Sequence, residues 1–209
     1  MNRKPLLTLM TFVTLVSVGC GVAGGSAGVS TVIDGTWVGP CSVNSGSGNI
    51  GASSLHTLVF GGGSYSLYEY NYSNNNCTGG ILLTLVESGT FSVGGVDANL
   101  TSATDIDFIQ SANTATPGTG EAAALNSQHP CGTGATFTDN QPTSVAGLTC
   151  GSGGDSGPQT SNGARILSLF VITGNAIQLG NSNGSHEELG VVAPGARPTQ
   201  VNGSTTYTN

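Results

Sequence analysis

The run SYSLYEYNY, residues 64–72, alternates strictly: Tyr68, Tyr70 and Tyr72 fall on one side, Tyr65 and Leu67 on the other. It is bounded by GGG at 61–63 and NNNCTGG at 74–80, and a period of two between glycine- and asparagine-rich turns is the mark of a strand in a hairpin. DIDFIQ, residues 105–110, repeats the pattern with Asp105 and Asp107 on one face and Ile106 and Phe108 on the other. DGTWVGPCSV at 34–43, SLHTLVF at 54–60, ILLTLV at 81–86, GTFSV at 89–93 and ARILSLFVITGNAIQLG at 164–180 read as further strands, while no long stretch carries a helical period. In the first of these, Trp37, Gly39, Cys41 and Val43 share a face, and Trp37 reads as a core plug. In the last, Thr173-Gly174-Asn175 joins two strands in a hairpin-like turn. ARPTQVNGSTTYTN at 196–209 supplies a closing strand. The expectation is an all-β, antiparallel up-and-down barrel of about eight strands, since closure removes exposed sheet edges; a two-sheet sandwich is the alternative.

From 111 to 163 the alternation stops. The segment is crowded with Gly, Ala, Thr, Ser, Pro and Asn, and it is expected to be an irregular insertion leaving the barrel. The barrel domain then spans 34–208, preceded by a flexible glycine-rich tether at 20–33.

The N-terminal residues 1–19 read as a signal peptide, with Arg3 and Lys4 ahead of an apolar stretch from Leu6 to Val18. Val18-Gly19-Cys20 resembles the lipobox of bacterial lipoproteins, with Ser17 in place of the usual aliphatic residue. That resemblance implies cleavage before Cys20, acylation of its thiol and a palmitate-type lipid anchor. Gly21 carries no inner-membrane retention signal, so the expected location is the outer membrane of a bacterial envelope.

Five cysteines in an exported chain leave one odd thiol, and lipidation of Cys20 removes it. Cys41, Cys77, Cys131 and Cys150 can then form two disulfides in an oxidising compartment. Three connectivities are open; Cys41–Cys77 with Cys131–Cys150 is favoured because each pair closes a local loop.

After cleavage, Arg165 and Arg197 are the only positive side chains against eleven acids, a net charge of −9. A surface of that sign repels phosphate backbones, which excludes nucleic acid as a partner. It leaves the acyl chains as the attachment to a membrane. No CxxC pair or spaced histidine pair suggests a metal, and no glycine-rich loop with a following lysine suggests a nucleotide, so neither metal nor cofactor is expected.

The order DGTWVGPC, YNYSNNNC, ESGTFSVGG, DIDF, FVITGNAIQLG and ARPT…YT is similar to a largely uncharacterised group of bacterial envelope lipoproteins with a lipocalin-like barrel. The similarity covers most of 34–110 and 164–208. It implies a small calyx-like barrel, a Cys41–Cys77 bridge and a non-enzymatic role, structural or in binding a small apolar ligand or a partner. Trp37, Tyr68, Tyr70 and Tyr72 are the candidate ligand-binding residues.

Two other roles are open. GGDSGP at 153–158 is close to the serine-protease nucleophile motif, and His56, Asp105 or Asp107, and Ser156 occur in chymotrypsin order. Against a hydrolase, the histidine lacks the family's flanking residues, Pro158 replaces a glycine, and Ser156 lies in a low-complexity tract, so no catalytic residue is expected. The third role is a surface adhesin presenting 111–163.

Overall fold

The computed structural model describes residues 32–44, 50–128, 131, 134–150, 157–180, 189–193, 195–203 and 205–209, with backbone alone at 150, 157 and 158. Among the described residues, thirteen strands and one helix run in the order β1 (Gly35–Val38), β2 (Ser42–Val43), β3 (Ser53–Gly61), β4 (Ser64–Tyr72), β5 (Ile81–Val96), β6 (Thr104–Pro117), α1 (Ala122–Gln128), β7 (Thr143–Ser144), β8 (Thr149–Cys150), β9 (Gly157–Pro158), β10 (Arg165–Thr173), β11 (Ala176–Leu179), β12 (Val191–Val192) and β13 (Tyr207–Thr208).

Eight of them close a ring. β1, β3, β4, β5, β6, β10, β11 and β13 pair antiparallel in chain order, and β13 returns to β1. This is the expected up-and-down barrel, with β2, β7 and β12 laid beside the ring on β3, β6 and β10. The seam that closes it is the β6–β10 ladder, which sets Asp107 opposite Leu167 and Ile106 opposite Ser168.

Alternation fills the interior. Leu58, Phe60, Tyr65, Leu67, Ile106, Phe108, Ile166, Phe170 and Tyr207 meet there with Trp37. Phe60 packs edge-on against Phe91 at 5.0 Å and Tyr65 edge-on against Phe108 at 4.9 Å, so one half of the barrel is plugged by rings.

Three sequence expectations change. The first strand stops at Val38 instead of running to Val43, which is 59% exposed on the short β2; Pro40, without an N–H, interrupts the ladder. Residues 81–96 form one strand, not two: β5 runs straight through Ser88 and Gly89, and the register shift there is taken up by an extra residue, Ser111, on β6. A Cβ on Gly89 would lie 2.0 Å from the Ile109 carbonyl oxygen, so only glycine lets β6 approach there.

The third change concerns 111–163. β6 continues to Pro117, and the segment beyond it is not merely irregular. Ala122 and Leu125 of α1 pack with Ala135, Phe137 and Val145 against Leu83 and Ala115 of the barrel strands, making a second apolar cluster. The insertion is therefore anchored on the wall of the barrel by burial of its own few large apolar side chains.

Candidate functional site in the barrel interior

The inner row of β4 begins with Tyr65 and Leu67 and continues through Glu69 and Asn71, which are 5% and 1% exposed. Across β3–β4, His56 lies directly opposite Glu69, and Ser54 opposite Asn71. Across β4–β5, Glu69 faces Leu85 while Glu87 faces Leu67, a diagonal step of about 7–8 Å between the two carboxylate positions. Asn113 of β6 stands opposite Glu87. Beyond the aromatic plug, the barrel thus carries a transverse row of polar side chains over four adjacent strands.

The contacts within the row are specific. Asn71 Nδ2 donates to Glu69 Oε1 at 2.9 Å, and His56 Nε2 lies 3.8 Å from Glu69 Oε2. Tyr65 donates its phenol proton to Glu87 Oε1 at 2.6 Å. Asn113 Nδ2 donates to Gln159 Oε1 at 3.1 Å, and Gln110 Nε2 to the Thr160 carbonyl at 2.7 Å, so the insertion closes one side of the row. Glu69, Asn71, Gln110 and Asn113 are buried, and a buried polar group is costly unless partnered.

Neither protein-family models nor curated proteins match this chain.

The residues singled out from sequence fall elsewhere. Trp37 is 4% exposed and donates Nε1–H to the Ile33 carbonyl at 2.8 Å, an internal contact within the core. Tyr68, Tyr70 and Tyr72 stand half-buried on the outer face, so a molecule inside the barrel meets Tyr65 and not that row. The Tyr68 and Tyr70 rings stack at 5.9 Å with planes 4° apart. Burial, and then the neighbouring phenols of Tyr68 and Tyr72, push the Tyr70 hydroxyl above its ordinary pKa.

His56 and Asp105 lie on opposite faces of the wall. His56 points in towards Glu69, whereas Asp105 alternates with the fully buried Ile106 and faces out beside Arg197. Asp107 also faces out, bound by both Arg165 and Arg197. Ser156 lies outside the described residues. His56 is therefore not brought together with Asp105 or Asp107, since neither aspartate can orient the histidine through the sheet.

On that outer face, Asp97 accepts from the N–H groups of Asn99 and Leu100, and these backbone hydrogen bonds hold its carboxyl below the ordinary value. Burial raises Asp105, Arg197 partly offsets this, and the nearby Asp97 carboxylate raises it further. The two neighbouring carboxyls are thus pushed apart, Asp97 downward and Asp105 upward.

Cys41 and Cys77 form a disulfide with Cα atoms 5.9 Å apart, as expected. Cys131 is disulfide-bonded; Cys20 and the side chain of Cys150 lie outside the described residues. Among the described residues no group of three or more His, Cys, Asp or Glu side chains is arranged to hold a metal, and no helix is long and apolar enough to cross a membrane.

The inner polar row was within reach of sequence reading. The alternation that places Tyr65 and Leu67 inside places Glu69 and Asn71 inside as well, and the parity of Phe60 and Leu58 carries His56 with them. The signal was a polar residue at a position whose neighbours of the same parity are core.

Proposed function

We propose that this protein is an exported, lipid-anchored β-barrel of a bacterial cell envelope that acts by binding, without covalent chemistry of its own. The observation that carries the binding role is the inward row His56–Glu69–Glu87–Asn113, half-buried at His56 and Glu87 and buried at Glu69 and Asn113: the inside of the barrel holds polar groups where packing alone would favour apolar ones. The opposed placement of His56 and Asp105 supports the non-enzymatic part.

The anchor is supported by the basic and apolar N-terminal residues and by cysteine parity. Cys41 and Cys77 are paired with each other and Cys131 is bonded to one further cysteine, which leaves one thiol of the five for acylation. The net charge of −9 left once Arg3 and Lys4 are cleaved off gives such a protein no electrostatic hold on anionic lipid, so attachment falls to the lipid. A display role for 111–163 is less favoured, because its large apolar residues are used in packing on β5 and β6.

Metabolic labelling with an alkyne fatty acid tests the anchor: labelled wild type and unlabelled Cys20→Ala are expected, and equal labelling of both sinks it. Reaction of the purified protein with a fluorophosphonate, abolished by Ser156→Ala, would instead establish the hydrolase. For the ligand, quenching of Trp37 fluorescence by fatty acids is the outcome expected of an apolar guest.

A further inference from the structure

The pattern Asn-x-Ser/Thr, with x other than proline, is the acceptor motif for a glycan on an exported protein, and its asparagine must be reachable from outside. The chain carries the pattern at Asn71, Asn76, Asn99, Asn183 and Asn202. Asn183 lies outside the described residues, and the fold sorts the other four.

In EYNYS at 69–73 and DANLT at 97–101 a carboxylate stands two residues ahead of the asparagine, and the two carboxylates act in opposite ways. Glu69 takes the side chain: Asn71 Nδ2 donates to it at 2.9 Å, and Asn71 is 1% exposed inside the barrel. Asp97 takes the main chain instead. Its Oδ1 accepts from the N–H of Asn99 at 2.8 Å and of Leu100 at 2.7 Å, which closes a tight turn on the aspartate and leaves the Asn99 side chain out of it. The turn is held at its base as well, where Asp97 N–H donates to the Ala103 carbonyl at 2.9 Å and Ala103 N–H to that of Leu100 at 2.8 Å. Asp97 and Ala103 are buried beneath it, while Ala98, Asn99, Thr101 and Ser102 are exposed at the tip of the β5–β6 connection.

The remaining two motifs are tied into the fold. Thr78, the hydroxyl residue that follows Asn76, has its hydroxyl bonded to Asn76 Oδ1 at 2.7 Å and its N–H to Asn74 Oδ1 at 3.2 Å, and Cys77 between them is bridged to Cys41. Asn202 is half-buried, with its N–H on the Leu179 carbonyl at 2.7 Å and its side-chain amide on Thr205 Oγ1 at 3.3 Å. Asn99 and Thr101 therefore form the one motif among the described residues that presents both amide and hydroxyl at an exposed, braced tip.

We propose that Asn99 carries an N-linked glycan, transferred after export from a glycan held on a lipid pyrophosphate by a membrane-bound transferase. In the transfer, Asn99 Nδ2 attacks the anomeric carbon of the first sugar. A carbon–nitrogen bond forms, the carbon–oxygen bond to phosphate breaks with its electron pair leaving on the lipid pyrophosphate, and the amide gives up one proton. The proposal rests on the reading of residues 1–19 as an export signal and is independent of what the barrel interior binds.

The test is mass spectrometry of the intact protein and of its peptides, purified from the envelope of its own cells. The peptide containing 97–101 is expected to carry an oligosaccharide, and the one containing 69–73 to be bare. Asn99→Gln should abolish the added mass, as should Thr101→Val, which keeps the asparagine and removes only the hydroxyl; Thr101→Ser should retain it. All three changes are at exposed positions and should leave the thermal midpoint of the deglycosylated protein unmoved. Added mass that survives Asn99→Gln, or a glycan on Asn71 with Asn99 bare, overturns the proposal. A chain that begins at an acylated Cys20 with Asn99 bare overturns it and leaves the lipid anchor standing; a chain that keeps Met1 with Asn99 bare overturns both.

Discussion

Arg197 donates from Nη2 to Asp107 Oδ1 at 2.6 Å, and the other arm of the same guanidinium, Nη1, reaches the main-chain oxygens of Ile106 and Ser168. Those two residues are register partners across β6 and β10, so one side chain from the C-terminal segment bridges the ladder that closes the ring. Arg165 Nη2 takes the second oxygen of Asp107 at 2.5 Å. A planar fork can serve three acceptors at once, which an ammonium on a flexible stem cannot do in the same geometry. Arg197 and Asp107 side chains are each about one-fifth exposed, so screening reduces the pair without abolishing it. Arg197→Ala should cost about 2 kcal/mol and Arg197→Lys about 1 kcal/mol, read from urea midpoints. A double-mutant cycle with Asp107→Asn should show coupling, and independent effects would mean that Arg197 acts only through the carbonyls.

Stability should respond to acid in two opposed ways. Burial pushes Asp107 up, but the hydrogen bonds from Arg165 and Arg197 outweigh it and leave the carboxyl low. Asp97 and Asp139 are held low by backbone N–H groups. Each of these three contributes stability that is fully present above the ordinary value of 3.8 and is lost as pH falls through its depressed folded value. Asp105 runs the other way: raised above 3.8 chiefly by burial, it favours the folded state at low pH and loses that contribution as pH rises through its folded value. Asp105→Asn keeps a hydrogen-bond donor towards Asp97 without the buried charge. Thermal midpoints followed from strong acid to neutrality should therefore show Asp105→Asn at least as stable as wild type near neutrality. A marked loss there would mean that the charged form of Asp105 is the one that supports the fold.

The Cys41–Cys77 bridge ties the start of the ring to the turn after β4 and closes a separation of 36 residues. Restricting the unfolded chain over that length is worth about 3–4 kcal/mol in the chain-entropy account. Cys41→Ser with Cys77→Ser should lose that amount in urea unfolding. The turn has a second tether, since Ser53 Oγ accepts from Cys77 N–H at 3.1 Å. A loss below about 1 kcal/mol would show that this and neighbouring contacts hold the unfolded as well as the folded turn.

What could be read in advance follows from how far each determinant lies along the chain. Ile106 and Phe108, alternating with Asp105 and Asp107, identify their own face, and both are fully buried. Meander order follows from short turns such as 61–63 and 173–175, because neighbouring strands joined tightly have little choice but to pair. Arg197 bridging to Asp107 was not legible: 90 residues separate them, and no local pattern relates a C-terminal arginine to a mid-chain strand. Glu69 and Asn71 were legible by parity but masked by the more conspicuous tyrosines between them. The helix α1 escaped because its N-terminus has no capping residue of its own in Thr119-Gly120-Glu121 that reaches the free N–H groups.

That cap is supplied from a distance. Asp139 Oδ2 accepts from the N–H of Gly120 and Oδ1 from that of Ala122, both at 2.8 Å, across 17 residues in the second case. Seven residues are too few to hold a helix by themselves, so α1 depends on this carboxylate and on packing. The packing is reinforced by Asn126, which donates to the Phe137 carbonyl and accepts from its N–H, each at 2.8 Å. Leu125 and Phe137 then fill the cluster that rests on Leu83 and Ala115. Asp139→Ala removes both acceptors, and Asp139→Asn retains one. Amide exchange over 122–128 should accelerate strongly in the first and moderately in the second, while amides around Phe108 stay protected. Leu125→Ala, which opens the cluster itself, should lower stability by about 2–4 kcal/mol. Should Asp139→Ala deprotect the Phe108 region equally, the insertion and the barrel would form one cooperative unit, and the second cluster would be part of what keeps the ring closed.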